Sequence, residues 1–178
     1  MRRMFRRDRR KAFAPNVPPI LQEANLAFDK GEYGRAAERF ERIARVADER
    51  GGPRAPALQL QAGRARVFAG QAELGMPSIK RGLELLAQRG QFPRLHQAGT
   101  RIISELNERG FNNQAAEIEA WLKSALPEST SIESPARRPS IPTHCPACGA
   151  PLRPDEAEWL DDVTAECVYC GSPVREEK

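Results

Sequence analysis

The four cysteines stand as two short groups, Cys145-Pro146-Ala147-Cys148-Gly149 and Cys167-Val168-Tyr169-Cys170-Gly171. A gap of two residues lets both thiolates of a tight turn reach one ion at ~2.3 Å, and two such turns complete a tetrahedron. With eighteen residues between Cys148 and Cys167, the pattern reads as a zinc site formed by Cys145, Cys148, Cys167 and Cys170. Four thiolates fill the coordination shell and leave no position for water. The expected cofactor is therefore one structural Zn2+, not a catalytic one. Iron uses similar turns and is the alternative metal. A disulfide framework is disfavoured because the charged N-terminus has no apolar stretch behind it of the kind a secretory signal needs. A redox Cys-x-x-Cys pair would open a helix in a strand–helix unit, and neither group does.

The turns must hold the sulfurs. Gly149 and Gly171 follow the second cysteine of each group, where the backbone has to take an unusual angle. Between the groups, Glu158-Trp159-Leu160 and Val163-Thr164-Ala165-Glu166 read as strands, with Asp161-Asp162 at their turn. These residues resemble the zinc ribbon family over 144–174. A module of this size has too little core to fold alone, so metal binding is expected to supply its folding energy. Trp159 is expected to anchor its small core. His144 beside Cys145 is a spare nitrogen next to a complete ligand set, and His96 reads as a helix-face residue. Residues 144–178 carry three basic and eight acidic side chains, net −5, and a zinc tetrathiolate adds about −2. Such a surface repels phosphate, so the ribbon itself is a poor nucleic-acid reader.

Upstream, the chain repeats itself. Ala24, Phe28, Gly31-Glu32-Tyr33, Ala36 and Phe40 are echoed by Gly63, Gly70 and Gly75, and by Ile103, Gly110 and Ala115. The turn glycines Gly31, Gly70 and Gly110 fall 39 and 40 residues apart, each followed five residues later by a small residue. A glycine ends one helix in the left-handed conformation, and the small residue lets the next helix approach closely. Apolar residues at helical spacing then face each other. In the first pair they are Ile20, Ala24, Ala27 and Phe28 against Tyr33, Ala36, Ala37, Phe40, Ile43 and Ala44. In the third they are Leu95, Ala98, Ile102, Ile103 and Leu106 against Phe111, Ala115, Ile118, Leu122 and Leu126. Glu38/Arg42 and Glu41/Arg45 read as surface pairs along one helix.

These residues resemble the tetratricopeptide repeat family over roughly residues 16–126. The fit is closest in the first repeat; Asn112 replaces the tyrosine in the third, and the period exceeds the usual ~34 residues. The resemblance implies a mainly α fold of three antiparallel helix hairpins stacked as a solenoid, with a groove for peptide segments of other proteins. Candidate groove residues on the first helices of the pairs are Asn25, Gln59, Arg66, Arg94 and Arg101, with Arg66 and Arg101 suited to acidic peptides. The alternative is a six-helix bundle without a repeat superhelix.

The 178 residues carry net charge +4, unevenly spread. Residues 1–14 hold seven Lys/Arg and one Asp. Residues 1–15 read as a basic disordered tail, either solvated or in contact with an anionic partner such as nucleic acid, a membrane surface or the acidic ribbon. Residues 127–143, rich in Pro and Ser, read as a flexible linker that leaves the ribbon free to move. No stretch approaches the ~20 apolar residues of a membrane span, so a cytoplasmic location is expected. Neither a Gly-rich phosphate loop nor a nucleophile motif is present, which argues against an enzyme and against a small-molecule substrate. The expectation is a non-catalytic protein–protein interaction scaffold. The alternative is a nucleic-acid-associated factor that uses the basic tail.

Overall fold

The structure is a computed structural model that describes residues 17–127, 140–154, 157–161 and 163–175. Among them lie six helices: α1 (Pro19–Asp29), α2 (Tyr33–Glu49), α3 (Ala55–Phe68), α4 (Ala72–Gln88), α5 (Phe92–Glu108) and α6 (Asn112–Ala125). A small antiparallel sheet follows, β1 (Glu158–Asp161), β2 (Thr164–Glu166) and β3 (Pro173–Arg175), in that order. The basic tail and most of the linker lie outside the described residues. No described helix is long and apolar enough to cross a membrane.

One local device closes five of the six helices. Glu32 N–H donates to Ala27 O at 2.9 Å and Gly31 N–H to Phe28 O at 3.0 Å, the double bond that caps a helix through a left-handed glycine. The same pair of bonds recurs at Gly51, Gly70, Gly90 and Gly110, all with positive φ. These glycines fall 20, 19, 20 and 20 residues apart, so the expected 39–40 residue repeat is itself built from two near-equal halves. Pro19, Pro56 and Pro93 each sit in the first turn of α1, α3 and α5, where a missing N–H costs nothing.

Helices pack on their sequence neighbours, and the expected faces are turned inward. Ala24, Ala36, Ala37, Phe40 and Ala44 are fully buried, as are Leu95, Leu106 and Ile118. In α1, Leu21 enters the core rather than Ile20, which is half-buried. Two small residues let one helix pair approach closely. A Cβ on Gly75 would stand 2.5 Å from Gly63 O, and one on Gly63 would stand 2.7 Å from Gly75 O, so α3 and α4 touch backbone to backbone.

Polar bonds join one pair to the next. Arg64 on α3 donates to both carboxylate oxygens of Glu105 on α5, at 2.8 and 2.6 Å. Arg81 on α4 does the same to Asp48 on α2, at 2.8 and 2.8 Å. Lys80 on α4 reaches Glu117 on α6. Glu41 pairs with Arg66 across α2 and α3 at 2.6 Å, instead of with Arg45 along its own helix. At the turns, Phe28, Tyr33 and Phe68 stack with ring centroids 5.1 to 5.2 Å apart, and Arg109 lies 3.7 Å above Phe68.

The apolar interior falls into two clusters. One runs through α3, α4, α5 and α6. The other joins α1, α2 and α3 to the cysteine module through Leu21, Ala24, Leu58, Leu152, Tyr169 and Val174. The module thus shares an apolar core with the first helices.

Candidate metal centre

Two matching turns position the sulfurs. Gly149 N–H donates to Cys145 O at 2.8 Å, and Gly171 N–H donates to Cys167 O at 2.7 Å. Each first cysteine also donates its own N–H five residues on, Cys145 to Ala150 O at 2.8 Å and Cys167 to Ser172 O at 3.0 Å. Gly149 and Gly171 take φ of 74° and 76°, the left-handed angle expected from their positions. The sheet carries the second turn. β1 pairs with β2 in the register Trp159↔Ala165, and β2 with β3 in the register Ala165↔Val174. An isolated bridge, His144↔Pro151, closes the first turn.

All four sulfurs lie within 4.8 Å of one another, and all four cysteines are buried. Cys145 Sγ is 3.7 Å from Cys170 Sγ, and Cys148 Sγ is 3.9 Å from Cys167 Sγ. A regular tetrahedron with ~2.3 Å metal–sulfur bonds has edges of roughly 3.8 Å, so the donors fit one ion. A disulfide would need sulfurs about 2.05 Å apart, and none is formed here. The protons are shared unevenly. Hydrogen bonding to Cys148 holds the Cys145 thiol down at about 7. Hydrogen bonding to Cys145 holds Cys170 far below the usual thiol value. Hydrogen bonding to Cys145 and Cys170, together with burial, pushes Cys148 and Cys167 far up. Four thiolates cannot crowd into a buried site without a cation to offset them. The cluster can hold a metal ion, and with four sulfurs on it the ion has no vacant position.

Other residues fall differently from expectation. Trp159 is only half-buried, its Nε1 donating to Pro154 O at 2.9 Å. Tyr169, Leu152 and Val174 are the large apolar side chains buried in the module instead, in one cluster with the first helices. His144 points away from the sulfurs, with Nε2 3.8 Å from Asp29 Oδ1.

The five candidate groove residues divide by partner. Asn25 is 1% exposed and donates its Nδ2 to Cys148 O at 2.8 Å. Arg94 meets Glu158 of β1 at 3.4 Å. Arg101 and Arg94 line a cavity between α3, α5 and the module. Gln59 and Arg66 face α2 instead. Gln59 donates to Asp48 at 3.3 Å, and Arg66 to Glu41 at 2.6 and 2.8 Å. The bonds from Arg81 and Gln59 hold the Asp48 carboxyl below its ordinary value. Sequence reasoning missed Gln22 and Arg54. Gln22 donates to Ala147 O at 2.8 Å, and Arg54 meets Glu166 at 3.3 Å. Neither has a local signal, since both partners lie more than a hundred residues away.

Comparison of the chain with models of known families, with curated proteins and with solved structures finds no match.

Proposed function

We propose that this chain is a non-catalytic interaction scaffold: a tetratricopeptide-like stack of three helix pairs that binds a segment of another protein, closed by a zinc ribbon whose ion is structural. The observation that carries this reading is the buried, four-sulfur cluster. An ion bound by four thiolates has no open site for substrate or water, so its contribution is to folding. The repeated glycine closures and the bonds from α3 to α5 and from α4 to α6 support pairs stacked in register. Zinc is preferred because it favours tetrahedral sulfur sites and needs no redox partner.

Elemental analysis of the purified chain tests the metal: one zinc per chain is expected. Iron in its place, or a metal-free chain that is ordered over 144–175, overturns the zinc reading. Partner capture tests the scaffold. A partner bound by the intact protein should be lost on Arg101→Glu. Nucleic-acid binding that weakens steeply with salt and vanishes without residues 1–11 would favour the alternative factor instead.

A further inference from the structure

The cysteine module sits on α1, α3 and α5. Two α1 side chains grip its first turn: Gln22 Nε2 reaches Ala147 O and Asn25 Nδ2 reaches Cys148 O, each at 2.8 Å. The second turn rests on the start of α3, where a Cβ on Gly171 would stand 1.5 Å from Arg54 Nη2. Glu166 and Glu158 then meet Arg54 and Arg94 at 3.3 and 3.4 Å. The helices touched, α1, α3 and α5, are the first members of the three pairs. A cavity of about 120 Å³ remains in the seam, with Leu60, Arg101 and Tyr169 in its wall.

Both α1 bonds end on carbonyls inside the Cys145–Cys148 turn. A backbone acceptor keeps its position only while its turn is fixed. In a module this small, the folding energy comes from the ion that ties the two turns together. Charge points the same way: Glu166 and Glu158 of the module face Arg54 and Arg94, and Arg101 lines the same seam.

We propose that the module is a metal-held latch. It covers the α1–α3–α5 face while an ion fixes its turns, and it leaves that face when the ion is withdrawn. This rests on the reading of that face as the scaffold's binding surface. The module is then the resident occupant, and an acidic segment of a partner competes with Glu158 and Glu166 for the same arginines.

Hydrogen–deuterium exchange on the full chain tests the latch, with zinc bound and after EDTA under reducing conditions. On chelation, α1 amides should exchange about tenfold faster together with residues 144–175. Those of α4 and α6, whose core does not include the module, should keep their rates. Asn25→Asp gives an arm without metal loss. Its carboxylate faces Cys148 O in place of a donor, so α1 should lose protection while zinc and the protection of 144–175 are retained. A short fluorescein-labelled Asp/Glu peptide should bind about tenfold tighter to the chelated chain and to zinc-loaded Asn25→Asp than to the zinc-loaded parent. If α1 exchange is the same with and without zinc, the latch is wrong whatever the peptide does. If α1 opens and the peptide binds no form, the latch stands and the binding-face reading falls.

Discussion

Asn25 of α1 donates its Nδ2 to the carbonyl oxygen of Cys148, 2.8 Å away in space and 123 residues away in sequence. A helix side chain thereby holds the turn that carries two of the four clustered cysteines. Asn25→Ala strands a buried acceptor, a loss of about 1–3 kcal/mol. Part of this is offset, because Asn25 Oδ1 is itself buried without a partner among the described residues. Thermal unfolding should shift down while the metal content of the purified chain matches the parent's. An unchanged melting temperature would mean that this bond contributes nothing.

Proton release follows from the thiols. Cys148 and Cys167 are pushed up, so binding a metal as thiolates must expel their protons. Acid therefore competes with the metal. Apparent affinity should fall roughly tenfold per pH unit for each proton displaced. The loss should deepen on further acidification, as Cys145, which hydrogen bonding to Cys148 holds low, also takes up a proton. Competition against a chelating indicator dye across this range reads the slope, and a flat profile contradicts the four-thiolate site.

Arg64 and Glu105 form a nearly buried pair, with side chains 9% and 14% exposed. Arg64→Met leaves Glu105 with an uncompensated charge and Gln61 without its donor, at a cost of about 3–5 kcal/mol. The double variant Arg64→Met/Glu105→Met should recover most of that loss. Urea unfolding of both checks the pair; a single variant as mild as the double would show that the charge is not desolvated.

Gly63→Ala probes the contact between α3 and α4. The added methyl would meet Ile79 Cγ1 at 2.5 Å, Gly75 O at 2.7 Å and Ile79 N at 2.9 Å. Two of these atoms are backbone, so the helices must part. Overpacking of this kind costs about 1–3 kcal/mol, seen as a lower urea midpoint. A midpoint equal to the parent's would mean that the pair separates freely.

The two cysteine turns are legible in the sequence because their geometry is local: Cys145 to Gly149 and Cys167 to Gly171 each close within five residues. Gly31, Gly70 and Gly110 are legible for the same reason. Gly51 and Gly90 carry the same signal at half the period, but the longer repeat masks it. The helix α3 shows little periodicity because it is buried on several sides, from Ala55 through Val67, and so has no single apolar stripe. Strand β3 is short and opens with Pro173; pairing with β2, not propensity, makes it a strand. The seating of the module was out of reach, since Gln22 and Asn25 bond to backbone carbonyls, which have no residue type to recognise.

Leu21 and Val174 belong to one apolar cluster, yet about 150 residues of synthesis separate them. Ribosomes add ~5–20 residues per second, so the nascent first helix waits on the order of ten to thirty seconds for the surface that covers it. During that interval α2 and α3 can cover α1, but the side of Leu21 that meets the module stays open on the growing chain. Protection by a chaperone would matter most at α1, although the piece that completes its cover is translated about 150 residues later.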